Sequence, residues 1–461
     1  MSPANDTRRT GGRVRGVALA LLALLGLGVG VVAGGRIGSG ATAGSAGSVA
    51  AEASRPAVGA TSSPGARVVL ASSTSDGEGD DDETPPSVPP TTVPPTVPPT
   101  VPPTTVPPTT VPPTTVPPTT VPPTTPPTTG VPVAGPSGIP ADCSVDVTTP
   151  LANLIARLPA GATLNLRSGG CYRVDNTLYV RGKSRLTIEG NGAELRATTV
   201  GTSGRRHLWV IGGSGITIRN LAITGVNPNP GVYNGSYPFQ HGVSLSGVNG
   251  ARLEHLTITN VYGDFVYVGS SNGTWSSNVS ITGSQLWGAG RQGISITAGR
   301  GVVIDSNSIA KVGRSMFDLE PNVSTEGAVD VTISNNSTGN ARNFWLADGG
   351  VGLNVRNVVV TNNTAVAPTG GLVWVYGPTT GYRGPFTFTG NTFQFWGSVT
   401  DSGSKGGFFF SRAQGIAIDD NTVQFPVARK LPAVESRDTL DLVVGTNRFN
   451  GAASPLLVTP R

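Results

Sequence analysis

The sequence predicts an all-β fold for residues 142–461, a right-handed parallel β-helix of about eleven coils. Three observations predict it. The segments "VVIDSNSI", "VTISNNST", "VVVTNNTA", "FTFTGNTF", "IAIDDNTV" and "LVVGTNRF" share one template, with apolar residues at positions one and three and Asn at position six. Their asparagines, Asn307, Asn336, Asn363, Asn391, Asn421 and Asn447, recur at spacings of 29, 27, 28, 30 and 26, which is one coil of a solenoid. A second series of short strands, "GVSLSG", "FVYVG", "GISIT", "MFDLEP", "FWLAD", "LVWVY" and "GFFFS", lies between these segments, and no long stretch repeats with helical period. Stacked asparagines at one corner are expected to bond to each other and to backbone, so their role is structural.

From the N-terminus, Arg8, Arg9, Arg13 and Arg15 precede an uncharged run from Gly16 to Ala33, the pattern of an export signal. "ATA" at 41–43 offers a cleavage site, and a run of this length equally serves as a membrane anchor with the arginines on the cytoplasmic side. Residues 1–38 are therefore signal or anchor, and residues 39–84 are a Gly/Ala/Ser and acidic segment with too little apolar material to fold. Residues 85–141 carry a Pro/Thr repeat. The repeat itself continues to about Thr129, and polyproline II at about 3.1 Å per residue over its roughly 45 residues makes a stalk on the order of 140 Å long. The expected location is outside the cell, secreted or tethered to the envelope.

"TPLANLIARLPAG" predicts a short helix with Thr149 as N-cap and Pro150 at its first position, plugging the open end of the solenoid. Cys143 and Cys171 are the only cysteines, and in an exported chain they are expected to form a disulfide tying this cap to the first coil. The helix, followed by "ATLNLRSGGCYRV", by "LTIEGNGAEL" and by coils with an Asn corner, resembles the pectate-lyase-like superfamily of right-handed β-helices over residues 142–461. The resemblance implies the fold and a range of roles among lyases, hydrolases, epimerases, tailspikes and adhesins.

With the apolar alternation of the second series pointing inward, Val243 and Leu245, Val266 and Val268, Ile294 and Ile296, Phe317 and Leu319, Phe344 and Leu346, and Val373 and Val375 fill the core. Ser244, Tyr267, Ser295, Asp318, Trp345 and Trp374 then form one outward column, its rows about 4.8 Å apart. Tyr267, Trp345 and Trp374 are expected to present flat rings to sugars, unless a loop folds over them. Asp318 and Glu320, two apart on one strand, are expected to reach solvent beside those rings. Just before the same strands, His241, Asp264, Gln292 and Ser315, flanked by Arg291 and Arg314, are expected to rim the groove, with Gln292 among the substrate contacts. Asp264 pairs with His241 or Arg291 in adjacent coils.

Asp318 and Glu320 should have Cα atoms about 6.5–7 Å apart, matching the carboxyl separation of about 6.5–9.5 Å used by inverting glycosidases. One would protonate the leaving oxygen and the other activate water, with Arg291 or Arg314 separating their pKa values. β-Elimination from a uronate would instead use Arg291, Arg314 or Tyr267 as base. The two acids also offer hard oxygen ligands to calcium, or form an exposed ion-pair network with the arginines. The polygalacturonase-type motifs "NTD", "GHG" and "RIK" are absent, so the resemblance leaves the reaction open. Past residue 141, 25 Lys and Arg stand against 19 Asp and Glu, a net +6 that permits an acidic polymer without requiring one. The expected partner is an extracellular polysaccharide, bound and cleaved by hydrolysis or elimination, and not nucleic acid. The alternative is a non-catalytic adhesin or glycan-binding rod.

Overall fold

The computed structural model describes residues 68–69, 133–366, 371–394, 406–426 and 430–459. Apart from Val68–Val69, the expected export segment, acidic segment and nearly all of the stalk lie outside the described residues. Among the described residues no helix is long and apolar enough to cross a membrane. The described residues form an all-β right-handed parallel β-helix and, among them, one α-helix, α1 (Thr148–Arg157).

The second strand series forms one continuous parallel wall. It runs through Leu178–Arg181, Leu208–Ile211, Val243–Ser246, Val266–Ser271, Ile294–Ile296, Phe317–Leu319, Phe344–Asp348, Gly371–Tyr376, Phe408–Ser411, Pro432–Arg437 and Ser454–Thr459. The Asn-template segments form the facing walls, among them Ala298–Asp305, Gly327–Ser334, Asn354–Thr361 and Phe386–Thr389, again paired in parallel. Val, Ile, Leu and Phe from these walls meet inside, since period-two alternation sends every second side chain to one face.

The asparagine corner is a ladder of buried amides. Asn307 Nδ2 donates to Asn336 Oδ1 at 3.0 Å, Asn336 to Asn363 at 2.9 Å, Asn363 to Asn391 at 3.0 Å, Asn391 to Asn421 at 2.9 Å and Asn421 to Asn447 at 3.0 Å. Each Oδ1 also accepts the backbone N–H of its counterpart one coil earlier, and each Nδ2 reaches a backbone carbonyl. The left-handed residue is the one before the ladder Asn: Ser306, Asn335, Asn362, Gly390 and Asp420 have φ between 53° and 66°. That residue turns the chain, and the turn aims the next amide inward.

α1 covers the N-terminal end by burying Leu151 and Ile155 against Leu164 and Leu166. Its start differs from expectation. Thr149 is not the N-cap; the helix begins at Thr148, and the carboxylate of Asp146 accepts the Thr148 N–H at 2.9 Å. A carboxylate at the positive end of the helix dipole does the work expected of the threonine hydroxyl. Cys143 and Cys171 form the expected disulfide, and the strands carrying them pair in parallel.

One coil breaks the expected alternation. Trp345 is fully buried, with its Nε1 donating to Thr338 Oγ1 at 2.8 Å and its ring packed edge-on against Phe317 and Phe393. Leu346 pairs in register with Phe317 and Val373, whereas Phe344 lies half-buried against Trp374. The position just before each inward strand residue is itself a corner of the core, occupied by Phe265, Met316, Trp345, Leu372 and Ala433. Where glycine stands there, the opposite wall fills the space: a Cβ on Gly242 would meet Ile258 Cγ2 at 2.6 Å, and one on Gly407 would meet Phe425 Cζ at 2.6 Å.

Asn363→Ala removes a link that both accepts from Asn336 and donates to Asn391, and it strands those buried partners. We expect a loss of roughly 2–4 kcal/mol in urea unfolding, against little change for Asn450→Ala at an exposed position.

Candidate functional site

The short-strand wall fixes one outward column: Tyr179, Trp209, Ser244, Tyr267, Ser295, Asp318, Ala347, Trp374, Phe409 and Glu435. Phe317 and Leu319 do face the core, as expected, so Asp318 lies on the outer face. Ala347 takes the place expected of Trp345. Bulky and small residues therefore alternate around the acid, with Ser295 and Ala347 directly beside Asp318, and Tyr267 and Trp374 one coil further on either side. At about 4.8 Å per coil the two rings stand roughly 10 Å from the acid along the column.

The polar residues preceding these strands are not an open rim. His241, Asp264, Gln292 and Ser315 are all buried, and they form a second ladder. His241 Nδ1 accepts the Asp264 N–H at 3.0 Å, Asp264 Oδ1 accepts the Gln292 N–H at 2.9 Å, and Gln292 Oε1 accepts the Ser315 N–H at 2.6 Å. Each side chain satisfies the backbone of the next coil, as it must when a bend leaves N–H groups without strand partners. His241 also stacks on Tyr267, centroids 4.9 Å apart and planes at 12°. Tyr267 Oη and Thr297 Oγ1 lie 3.0 Å apart.

Above this ladder, one guanidinium serves several carboxyls. Arg291 donates to Asp264 Oδ2 at 2.9 Å and reaches Glu320 Oε2 at 3.5 Å. Ser295 Oγ donates to Asp264 Oδ2 at 2.9 Å, and Gln292 Nε2 donates to Asp318 Oδ2 at 2.8 Å. The Glu320 carboxyl lies within hydrogen-bond reach of Asp318 and raises its proton affinity. Asp318 is thus 4% exposed rather than open to water, whereas the Glu320 side chain keeps 37% of its surface. Carboxyls within hydrogen-bond reach leave no room for a water between them, so the inverting separation expected for this pair does not hold. Arg314, expected to share this role, instead lies over the Tyr233 ring at 5.5 Å.

The electrostatics follow from burial. Desolvation pushes the Asp318 carboxyl well above the ordinary carboxylate range, and the nearby Glu320 pushes the same way, against the pull of Arg291. Asp264 is also raised by burial, opposed by Arg291 and the Gln292 N–H. Burial and the neighbouring Arg291 hold His241 well below its usual value, so its imidazole is neutral. Desolvation alone would loosen the Arg291 proton, but Asp264, Asp318 and Glu320 outweigh it and hold it more firmly. That is the opposite of what a base in β-elimination needs, and burial likewise raises Tyr267.

Calcium does not fit these residues. Asp318 spends an oxygen on the Gln292 amide and Glu320 one on Arg291, whose fixed positive charge lies among these acids and opposes a second cation there. Among the described residues no group of three or more acids, histidines or cysteines is arranged to hold a metal.

Several participants escape a reading by strand phase alone. Trp374 is half-buried and sandwiched, with Phe344 5.5 Å away at 17° and Tyr376 5.5 Å away at 10°. Tyr376 is legible two positions beyond Trp374; Phe344 is not, because strict alternation places it in the core. Asp348 occupies an inward position, in register with Leu319 and Val375, and pairs with fully buried Arg383. Burial pushes its carboxyl up to about 7 in spite of that partner.

Because Asp318 holds its proton to higher pH in the fold than in the unfolded chain, its contribution to stability is present at low pH and lost as pH rises through the folded value. Asp318→Asn stays neutral throughout. The variant should match the wild type in thermal midpoint at acidic pH and exceed it at alkaline pH, in paired melts across the range.

The family model described as "right handed beta helix region" matches residues 234–424. No curated protein sequence matches the chain. Among solved structures, the N-terminal fragment of bacteriophage Phi29 gene product 12 is similar at 12% identity and a TM-score of 0.58, over 70% of this chain and 59% of that one. PfbA, a surface adhesin of Streptococcus pneumoniae, is similar at 10% identity and a TM-score of 0.49, over 70% and 91%. A family 28 exopolygalacturonase of Yersinia enterocolitica is similar at 11% identity and a TM-score of 0.48, over 71% and 77%. Walls of in-register parallel strands, an amide ladder at the corner and a helix over the first coil make the described domain a right-handed parallel β-helix.

Proposed function

We propose that the chain binds an extracellular polysaccharide along the outward column of the short-strand wall and cleaves it by proton donation from the Asp318–Glu320 pair. The observation that carries this reading is a carboxyl whose affinity for its proton is raised by burial, set beside an accessible carboxyl and in one column with Tyr267 and the Trp374–Tyr376 ring stack. Ser295 and Ala347 are themselves buried beside it, so a sugar would approach through the accessible Glu320 side chain and rest against Tyr376, the exposed outer ring of the stack on Trp374. A neutral carboxylic acid next to a leaving oxygen is what general acid catalysis needs. Arg291, Gln292 and the ladder beneath keep the pair oriented. Hydrolysis is favoured over elimination because Arg291 and Tyr267 both hold their protons tightly. Export by residues 1–38, with the stalk of residues 85–141 as spacer, would place this face outside the cell.

A second reading, a glycan-binding rod without turnover, draws on one observation: Asp318 itself is nearly covered. The two separate on a polysaccharide panel. Hydrolysis releases new reducing ends without ultraviolet-absorbing unsaturated products, and a rod only retains the polymer.

Asp318→Asn and Glu320→Gln should each lower the release of reducing ends by about 100-fold or more while leaving retention intact. Unchanged turnover in both would remove the pair from the chemistry. Trp374→Ala should weaken retention of the same polymer by about five-fold, the scale of one lost ring contact, as measured by affinity electrophoresis.

A further inference from the structure

Three loops follow consecutive strands of the wall beside Trp374: residues 321–326 "PNVSTE", 349–353 "GGVGL" and 376–382 "YGPTTGY". They stack edge to edge. The Val351 N–H donates to the Pro321 carbonyl at 3.0 Å, and Leu353 packs on Gly381, where a Cβ would stand 3.0 Å from Leu353 Cδ2. Their tips expose apolar side chains, with Val323 50%, Val351 58%, Leu353 43% and Tyr376 50% accessible. Contiguous exposed apolar surface of this kind marks a contact site.

Charge narrows the occupant. In a chain with 13% charged residues, these stretches hold a single charged side chain, Glu326, and its carboxylate is turned to Ser270 Oγ at 2.7 Å and the Asn322 N–H at 3.2 Å. Arg412, a cation against these loops, is turned to the Thr379 carbonyl and to Asp438. The shelf is also rigidly held. Fully buried Arg383 donates to the carbonyls of Gly352 at 2.6 Å, Gly350 at 3.1 Å and Tyr376 at 3.4 Å, and pairs with Asp348 beneath. Such pinning lowers the ordering cost of binding.

Position supplies the rest. Tyr376 is both the end of the shelf and the outer ring of the stack on Trp374, and a Cβ on Gly349 would lie 3.7 Å from the Trp374 ring. The loops that carry the apolar tips thus adjoin the ring stack. We propose that the shelf of Val323, Val351 and Leu353 binds an uncharged alkyl or acyl substituent of the glycan whose sugar rings lie against Tyr376, the outer ring of the stack on Trp374. This rests on the reading of that face as glycan-binding and adds the class of glycan, one that carries apolar chains.

The test titrates the full chain with methyl, hexyl and octyl β-D-glucoside below their micelle concentrations, followed by tryptophan fluorescence and calorimetry. Affinity should rise by about two-fold per methylene, since a half-covered methylene contributes about half the full transfer free energy. The double variant Val351→Ser with Leu353→Ser should lose that dependence and bind the methyl glucoside as the wild type does. Equal affinity for the three glucosides, no binding of the octyl glucoside, or length dependence retained in the double variant would each overturn the proposal. So would a dimer in sedimentation that the double variant abolishes, because the occupant would then be a second copy. The wild-type series decides by itself if the variant does not fold. Failure of the glycan reading is seen separately, as absence of retention across the polysaccharide panel.

Discussion

In-register parallel stacking of coils, about 4.8 Å apart, is the constraint from which the other features of this molecule follow. It turns every position of the repeat into a column, so one residue's neighbours are its counterparts one coil above and below. Apolar columns fill the interior. A polar residue in a buried column has to find its partners along that column, because the surrounding side chains offer none. The amides from Asn307 to Asn447 meet this demand by a repeated bond to the next coil. The shorter ladder of His241, Asp264 and Gln292 meets it by accepting the next coil's N–H groups.

The same geometry explains why acids can gather at one place without tearing it apart. Three carboxyls share a single buried guanidinium, and taking charge out of water is costly. The cluster responds by raising the proton affinity of Asp318, which lies beside Glu320 on one side and accepts from the Gln292 amide on the other. A ladder evolved to satisfy backbone groups thereby supports a carboxyl whose proton is available at the surface.

Irregularity is concentrated in the coils after Asp318. Trp345 swings into a core corner, Phe344 swings out onto Trp374, and Asp348 takes an inward position that only Arg383 makes tolerable. Each departure shapes the surface beside the acid. The indole moved inward leaves Ala347 small in the column, the phenyl moved outward extends the ring stack, and the buried arginine pins the loops that carry the apolar shelf. Fold regularity and surface function thus divide between different coils of one repeat.

The repeat by itself determined the fold, the amide ladder, the disulfide and the inward phase of Phe317 and Leu319, because each rests on a periodicity or a cysteine count that a linear string displays. It also placed Tyr267, Asp318 and Trp374 in one column. Tertiary structure alone decided how open that column is. A strand that starts at a corner sends two consecutive residues inward, so alternation misplaced Trp345 and Phe344. Asp318 and Glu320 came closer than strand spacing suggests because side chains, not Cα atoms, set the distance between carboxyls. Arg291 rather than Arg314 joined the acids because the neighbouring loop offered Tyr233 to Arg314, and the partner of Asp348 lay 35 residues away in another loop. Contacts between coils depend on side-chain direction and loop path, which no one-dimensional period encodes.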